Sequence, residues 1–163
     1  WEAFFVASAG ATAALTGLLF IAVSIGLDHI LETPGLDSRA LEAVALLVGA
    51  LVLSLSALAP GQTAAVFATE ALVVGVSIAI LVVRGTLSTR RIARAHPLNF
   101  ALKLVFAVVT VPPYFVAAMR AAEADASLSW VAIGAVLGIV SACISAWVLL
   151  VEVQRDRPRR GAG

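Results

Sequence analysis

Five runs of about twenty apolar residues, separated by short polar or basic segments, constrain this chain more than any other feature. At a rise of about 1.5 Å per residue, a helix of that length crosses the ~30 Å hydrocarbon core of a bilayer. Inside that core every backbone N–H and C=O needs a partner from the protein, which leaves only helices or a closed barrel. Barrel strands alternate apolar and polar side chains over about ten residues, whereas these runs are unbroken and rich in Ala and Leu. The reading is an all-α integral membrane bundle of five transmembrane helices. Composition agrees: 61% of the 163 residues are hydrophobic and 13% charged, and the mean hydropathy is +1.04. A water-soluble domain of this size could not bury so much apolar surface.

The spans are expected at about 4–27, 38–59, 62–83, 98–119 and 128–153, in one transmembrane domain that ends in a basic tail, 154–163. A polar loop, 28–37, carries the Pro34-Gly35 turn, and Asp37 or Ser38 caps the second span. Pro60-Gly61 makes a tight reversal, so the second and third spans should be antiparallel neighbours. The first span exceeds a signal-peptide core and follows Glu2 rather than Lys or Arg, so cleavage there is not expected. The lack of an initiator Met points to a trimmed or incomplete N-terminus.

Orientation follows from the arginines. With five crossings, one side collects Arg39, Arg84, Arg90, Arg91, Arg94, Lys103 and the tail arginines Arg155, Arg157, Arg159 and Arg160, while Arg120 alone stands on the other. This places the N-terminus outside and the C-terminus in the cytoplasm. Trp130 and Trp147, about 25 Å apart on one helix, suit the two interfaces. The basic clusters at Arg84, Arg90, Arg91, Arg94, Arg155 and Arg157 are expected to touch anionic headgroups. A net charge of +1 gives no reason to invoke nucleic acid.

Membrane helices associate through small residues and a few polar contacts. Ser8, Thr12 and Thr16 form one ridge of the first span, with Gly17 on the next; Gly75 belongs to a small series in the third span, and Gly134 and Gly138 to one in the fifth. Two uses stand open for these ridges: packing inside one chain, or contact with a second copy or another membrane protein.

Residues seven apart lie nearly in line on a helix. One such row holds Thr63, Glu70, Ser77 and Arg84; others hold Glu42, Gly49 and Ser56, or Lys103 and Thr110. Ionisable groups in hydrocarbon normally face protein or water, so these rows are expected to turn inward. Glu70 falls about 12 Å from the outer end of its span, near mid-membrane. With Thr63, Thr69, Ser77 and Thr110 it outlines an intramembrane polar pathway; the alternative is a protonated Glu that bonds another helix. Glu42 and Lys103 could pair at one depth, or Lys103 could snorkel to the headgroups while Glu42 rests on the positive end of its helix. Pro112-Pro113 should break the hydrogen-bond ladder of the fourth span and kink it. Broken helices expose carbonyls in transporters, though kinks without function are also common.

No Ser-His-Asp grouping or phosphate-cradling loop is present, so no enzyme activity and no cofactor are expected. Asp28, His29 and Glu32 lie close together, but in a loop of this polarity they read as solvated rather than as a metal site. The lone Cys143 reads as a small apolar residue.

The run Ala-Gly-Ala-Thr-Ala-Ala-Leu-Thr-Gly-Leu-Leu-Phe-Ile-Ala-Val-Ser at 9–24 resembles the opening helix of small, uncharacterised bacterial inner-membrane proteins; the Pro60-Gly61-Gln62 hairpin fits the same resemblance, which covers about the first third of the chain. The resemblance implies the bacterial cytoplasmic membrane and supplies no activity. Two functions are therefore expected to compete. The first is a pathway for protons, ions or a small solute, formed by an oligomer around Glu70. The second is an accessory or scaffold subunit that binds another membrane complex.

Overall fold

A computed structural model describes residues 1–32, 36–89, 105 and 108–156, and the described residues are almost all helical. Helix α1 is Glu2–Ile25, α2 Leu27–Glu32, α3 Leu36–Leu58, α4 Ala64–Thr89, α5 Pro112–Met119 and α6 Ala124–Asp156. Four of these (α1, α3, α4 and α6) are long and apolar enough to cross a membrane, and a shorter apolar helical stretch covers Val108–Met119. The first part of the expected fourth span lies outside the described residues.

Local chemistry explains where the helices start and stop. Gly61 has φ 74°, a left-handed conformation that a Cβ would strain, and it turns the chain sharply between α3 and α4. Thr63 then caps α4, its hydroxyl accepting from the Val66 N–H at 3.4 Å. At the fourth span the ladder stops at Val111, and Pro112 and Pro113 occupy the first two positions of α5, where a missing N–H costs little. The Tyr114 N–H donates to the Val111 carbonyl at 3.3 Å, closing the break with a tighter turn.

The expected polar loop at 28–37 is partly helical instead. Gly26 accepts from the Ile30 N–H at 3.0 Å, so α2 follows α1 with only a bend, and it buries Ile30 in the core. Ile30 is the buried anchor of α2, while Leu27 and Leu31 stay exposed. Helix α3 accordingly begins at Leu36, and Asp37 lies in its first turn rather than before it. Helix α4 runs six residues beyond the expected end at 83. Helix α6, with 33 residues, is about 50 Å long and overshoots a bilayer core by several turns.

Helix α3 is central and packs on α1, α4 and α6; α5 bridges α4 and α6. Helices α3, α4, α5 and α6 thus close a ring, and α1 lies outside it in the groove between α3 and α6. One core cluster joins Phe5, Leu53, Phe67, Ala117 and Val131 near the Pro60-Gly61 end and continues inward through Tyr114, Leu46 and Ile78. The second cluster joins Leu19, Ile30, Leu36, Ala40 and Ala142 at the opposite end. The first turn of α1, the Pro60-Gly61 reversal and the α5–α6 turn therefore share one end of the bundle. There the Trp1 indole N–H donates to Asp125 at 3.3 Å, tying the start of α1 to the start of α6. Most of the remaining surface is apolar, with Leu18, Ile25, Val73, Val83 and Trp147 among its exposed side chains.

Candidate functional site

The middle of the ring is built around Tyr114, which is 0% exposed. Three glycines make room for it. A Cβ on Gly75 of α4 would stand 3.1 Å from the Tyr114 Cβ, and a Cβ on Gly134 of α6 would stand 2.9 and 3.0 Å from ring atoms Cε1 and Cζ. One helical turn further along α6, the Gly138 position faces the hydroxyl at 3.5 Å. Gly75, Gly134 and Gly138 are all buried, so their small size serves packing inside the chain. The Tyr114 hydroxyl has no hydrogen-bond partner among the described residues. Thr110, one turn before it, is also buried.

The other expected pathway residues do not gather around this centre. Thr63, Thr69, Ser77 and Arg84 are exposed on the outer side of α4. The expectation that this row turns inward does not hold within the chain, and the reason is local. Thr69 donates to the Ala65 carbonyl at 2.8 Å and Ser77 to the Val73 carbonyl at 2.7 Å. A hydroxyl satisfied by its own helix can stand on the outer face without a partner from another helix. The buried side of α4 is instead Phe67, Ala71, Gly75 and Ile78.

Glu70 lies on the flank between these faces and is half-buried. Its Oε2 accepts from the Gln62 side-chain amide at 2.6 Å. The sequence pattern points to Thr63, Thr69 and Ser77 as its neighbours; the bond is instead to Gln62, which approaches from the hairpin. The bond pulls the carboxylate toward the hairpin end of the bundle, because side chains on a helix lean toward its N-terminus. Glu70 thus fastens the α3–α4 turn to the first two turns of α4.

The α1 ridge divides between two faces. Ser8 and Thr12 are buried against α3, where the Ser54 hydroxyl donates to the Ser8 hydroxyl at 3.0 Å. Thr12 donates back to the Ser8 carbonyl at 2.7 Å, and Thr16, half-buried, to the Thr12 carbonyl at 2.7 Å. Gly17 points the other way, and so does Gly10; a Cβ at either would meet nothing within 4 Å. Ala3, Ala7, Gly10, Ala14 and Gly17 are all exposed and recur at alternating steps of four and three, a continuous small-residue stripe on the outside of α1.

Glu42 on α3 is half-buried, with its Oε1 shielded from solvent. Lys103 lies outside the described residues, and with it the expected pair. Arg90, Arg91, Arg94 and Arg157, and the side chain of Arg155, also lie outside them. Cys143 is exposed on α6 rather than packed in the core. Among the described residues no three His, Cys, Asp or Glu side chains cluster as a metal site requires. Ser54, Gln62 and Tyr114 are the residues sequence reasoning missed. Of these Tyr114 carried a usable signal, being the chain's one tyrosine and following a Pro-Pro break opposite two glycine-bearing spans.

Comparison with protein-family models, with curated proteins and with solved structures finds no match.

Proposed function

We propose that this chain is a multi-pass membrane subunit whose work is association: it holds itself, or a second membrane protein, in place within the bilayer through the outer face of α1. The observation that carries this reading is the division of α1. One side, Phe5, Ser8, Thr12 and Leu19, is buried in the chain's own core. The opposite side offers Ala3, Ala7, Gly10, Ala14 and Gly17 to whatever lies outside. Small residues let two backbones approach closely, and in lipid that close packing supplies much of the attraction between helices. The filled interior points the same way. Tyr114 occupies the centre of the ring, and the hydroxyls of Thr69 and Ser77 are spent on their own helix.

In this proposal the chain crosses the membrane five times. Its N-terminus is outside and its arginine-rich C-terminus is in the cytoplasm of a bacterial cell, as the distribution of basic residues argues. Anionic headgroups would meet Arg84 and the tail.

A pathway for protons, ions or a small solute is the second reading, and one observation favours it. The row Thr63, Glu70, Ser77 and Arg84 runs along the outer side and flank of α4, where polar groups against lipid are unfavourable. Between two copies of the chain that row would line a shared polar seam.

Cysteine scanning separates the two. With Cys143 replaced by Ser, single cysteines at Gly10, Ala14 and Gly17 should cross-link with the periodicity of the stripe in native membranes, and Gly17→Leu should abolish the cross-links while leaving the bundle folded. Cross-links confined to Thr69 and Ser77 on α4, together with ion flux in reconstituted vesicles that Glu70→Gln removes, would refute the scaffold reading in favour of the pathway.

A further inference from the structure

The Tyr114 hydroxyl is a strong donor held where no described residue accepts from it. A phenolic O–H left unbonded in an apolar interior carries the full desolvation penalty of a lost hydrogen bond. Buried polar groups of this kind are commonly satisfied by an ordered water that also reaches a second polar atom. The second atom is close by. Around the position a Gly138 Cβ would take, the nearest atoms are the Tyr114 hydroxyl at 3.5 Å, the Leu46 backbone carbonyl oxygen at 3.8 Å and the Thr110 Cγ2 methyl at 4.0 Å. A donor from α5 and an acceptor from α3 therefore face one space that the missing side chain of α6 leaves open. The Leu46 carbonyl sits within α3, where its helical bond uses one lone pair and the other remains available.

We propose that the centre of the bundle holds one internal water molecule, seated against Gly138, accepting from the Tyr114 hydroxyl and donating to the Leu46 carbonyl. The bridge joins two helices, α5 and α3, and Gly138 of the third, α6, is the residue that admits it. The Gly134 position, one turn away, cannot serve, because a group there meets the tyrosine ring at 2.9 Å rather than its hydroxyl. This assignment stands apart from the association proposed above, since no residue of the outer α1 stripe takes part.

Radiolytic footprinting of the full-length protein in detergent or nanodiscs, in oxygen-18 water, tests it directly. Hydroxyl radicals born from a bound water label the side chain that touches it, even in a sealed interior. Tyr114 should take up the label while the comparably buried Phe5 and Phe67 stay silent, and Gly138→Ala should reduce Tyr114 labelling several-fold by putting a methyl where the water sits. The methyl itself meets only ordinary contact distances, so the fold survives it. Melting temperatures give the second arm. Gly138→Ala should lower the melting temperature when Tyr114 is present and leave it unchanged or raised in the Y114F background, where no hydroxyl needs the water. A Tyr114 as silent as Phe5 and Phe67 overturns the proposal, as does a Gly138→Ala effect of equal size in both backgrounds. Either result would mean that no water bridges the hydroxyl and the Leu46 carbonyl.

Discussion

Gly134→Ala tests the tyrosine-centred packing most sharply. The added Cβ would lie 2.9 Å from Tyr114 Cε1, 3.0 Å from Cζ and 3.3 Å from the Pro113 Cβ. Carbon atoms rest at about 3.5–4.0 Å, so the ring would have to retreat by roughly half an ångström or more. It has little room to do so, because a methyl-sized probe at Gly75 already finds the tyrosine Cβ at 3.1 Å on the α4 side. Inserting one methyl group into a closed core costs about 1–3 kcal/mol. Against this, Gly→Ala gains up to about 1 kcal/mol of helix propensity. Gly10→Ala makes the right reference in dilute micelles, where the outer face of α1 has no partner, since its Cβ meets nothing within 4 Å inside the chain. The expected result is that Gly134→Ala is less stable than Gly10→Ala by ~1–3 kcal/mol in reversible denaturation in mixed micelles. In a Tyr114→Ala background most of the difference should disappear, because the ring that causes the two shortest contacts is gone and only the 3.3 Å approach to Pro113 remains. Equal stability of the two alanine variants, or a penalty undiminished without Tyr114, would refute the packing described for the ring.

Ser54→Ala removes the hydroxyl bridge from α3 to Ser8 of α1 and should cost about 0.5–1 kcal/mol by the same assay, while Ser77→Ala, whose hydroxyl bonds its own helix, should cost less than half of that. Glu70→Leu should loosen the α3–α4 turn by removing the acceptor of the Gln62 amide; faster amide exchange at 60–66 is the measurement, and Glu70→Gln, which keeps a carbonyl acceptor, should restore protection. Glu123→Gln breaks the exposed 3.0 Å pair with Arg120 and should change the melting temperature negligibly, as surface pairs of this kind contribute within about 1 kcal/mol.

Much of the helical architecture was legible in the sequence because apolar runs of this length leave the backbone no alternative. Pro60-Gly61, Thr63 and Pro112-Pro113 are punctuation that acts through the local chain alone, and each stands at a helix boundary. Facing direction was harder to read. A row of Thr63, Glu70, Ser77 and Arg84 looks like an interior line only if hydroxyls need partners from other helices, and Ser77 finds its acceptor four residues back. Helix α2 escaped because three acidic or basic side chains obscured an Ile30 that the core takes up. The centre of the bundle was hidden for another reason. Gly75, Gly134 and Gly138 announce close approach but not what approaches, and the answer lies on α5, distant in sequence from all three. Spacing along one helix carries no information about which bulky side chain on another will stand at the same height.

The hydroxyls that bond back onto their own backbone bear on how the chain enters the bilayer. Thr12, Thr16, Thr69, Ser77, Thr86 and Ser129 each carry an acceptor within the same helix. Such a segment can leave the translocation machinery singly, its polar side chains already neutralised, and wait in lipid for its neighbours. Among the described residues Ser54 and Ser127 instead bind across helices, Ser54 to Ser8 and Ser127 to the Ala117 carbonyl at 2.9 Å. The α1–α3 and α5–α6 meetings would then be the steps at which independent insertion gives way to assembly.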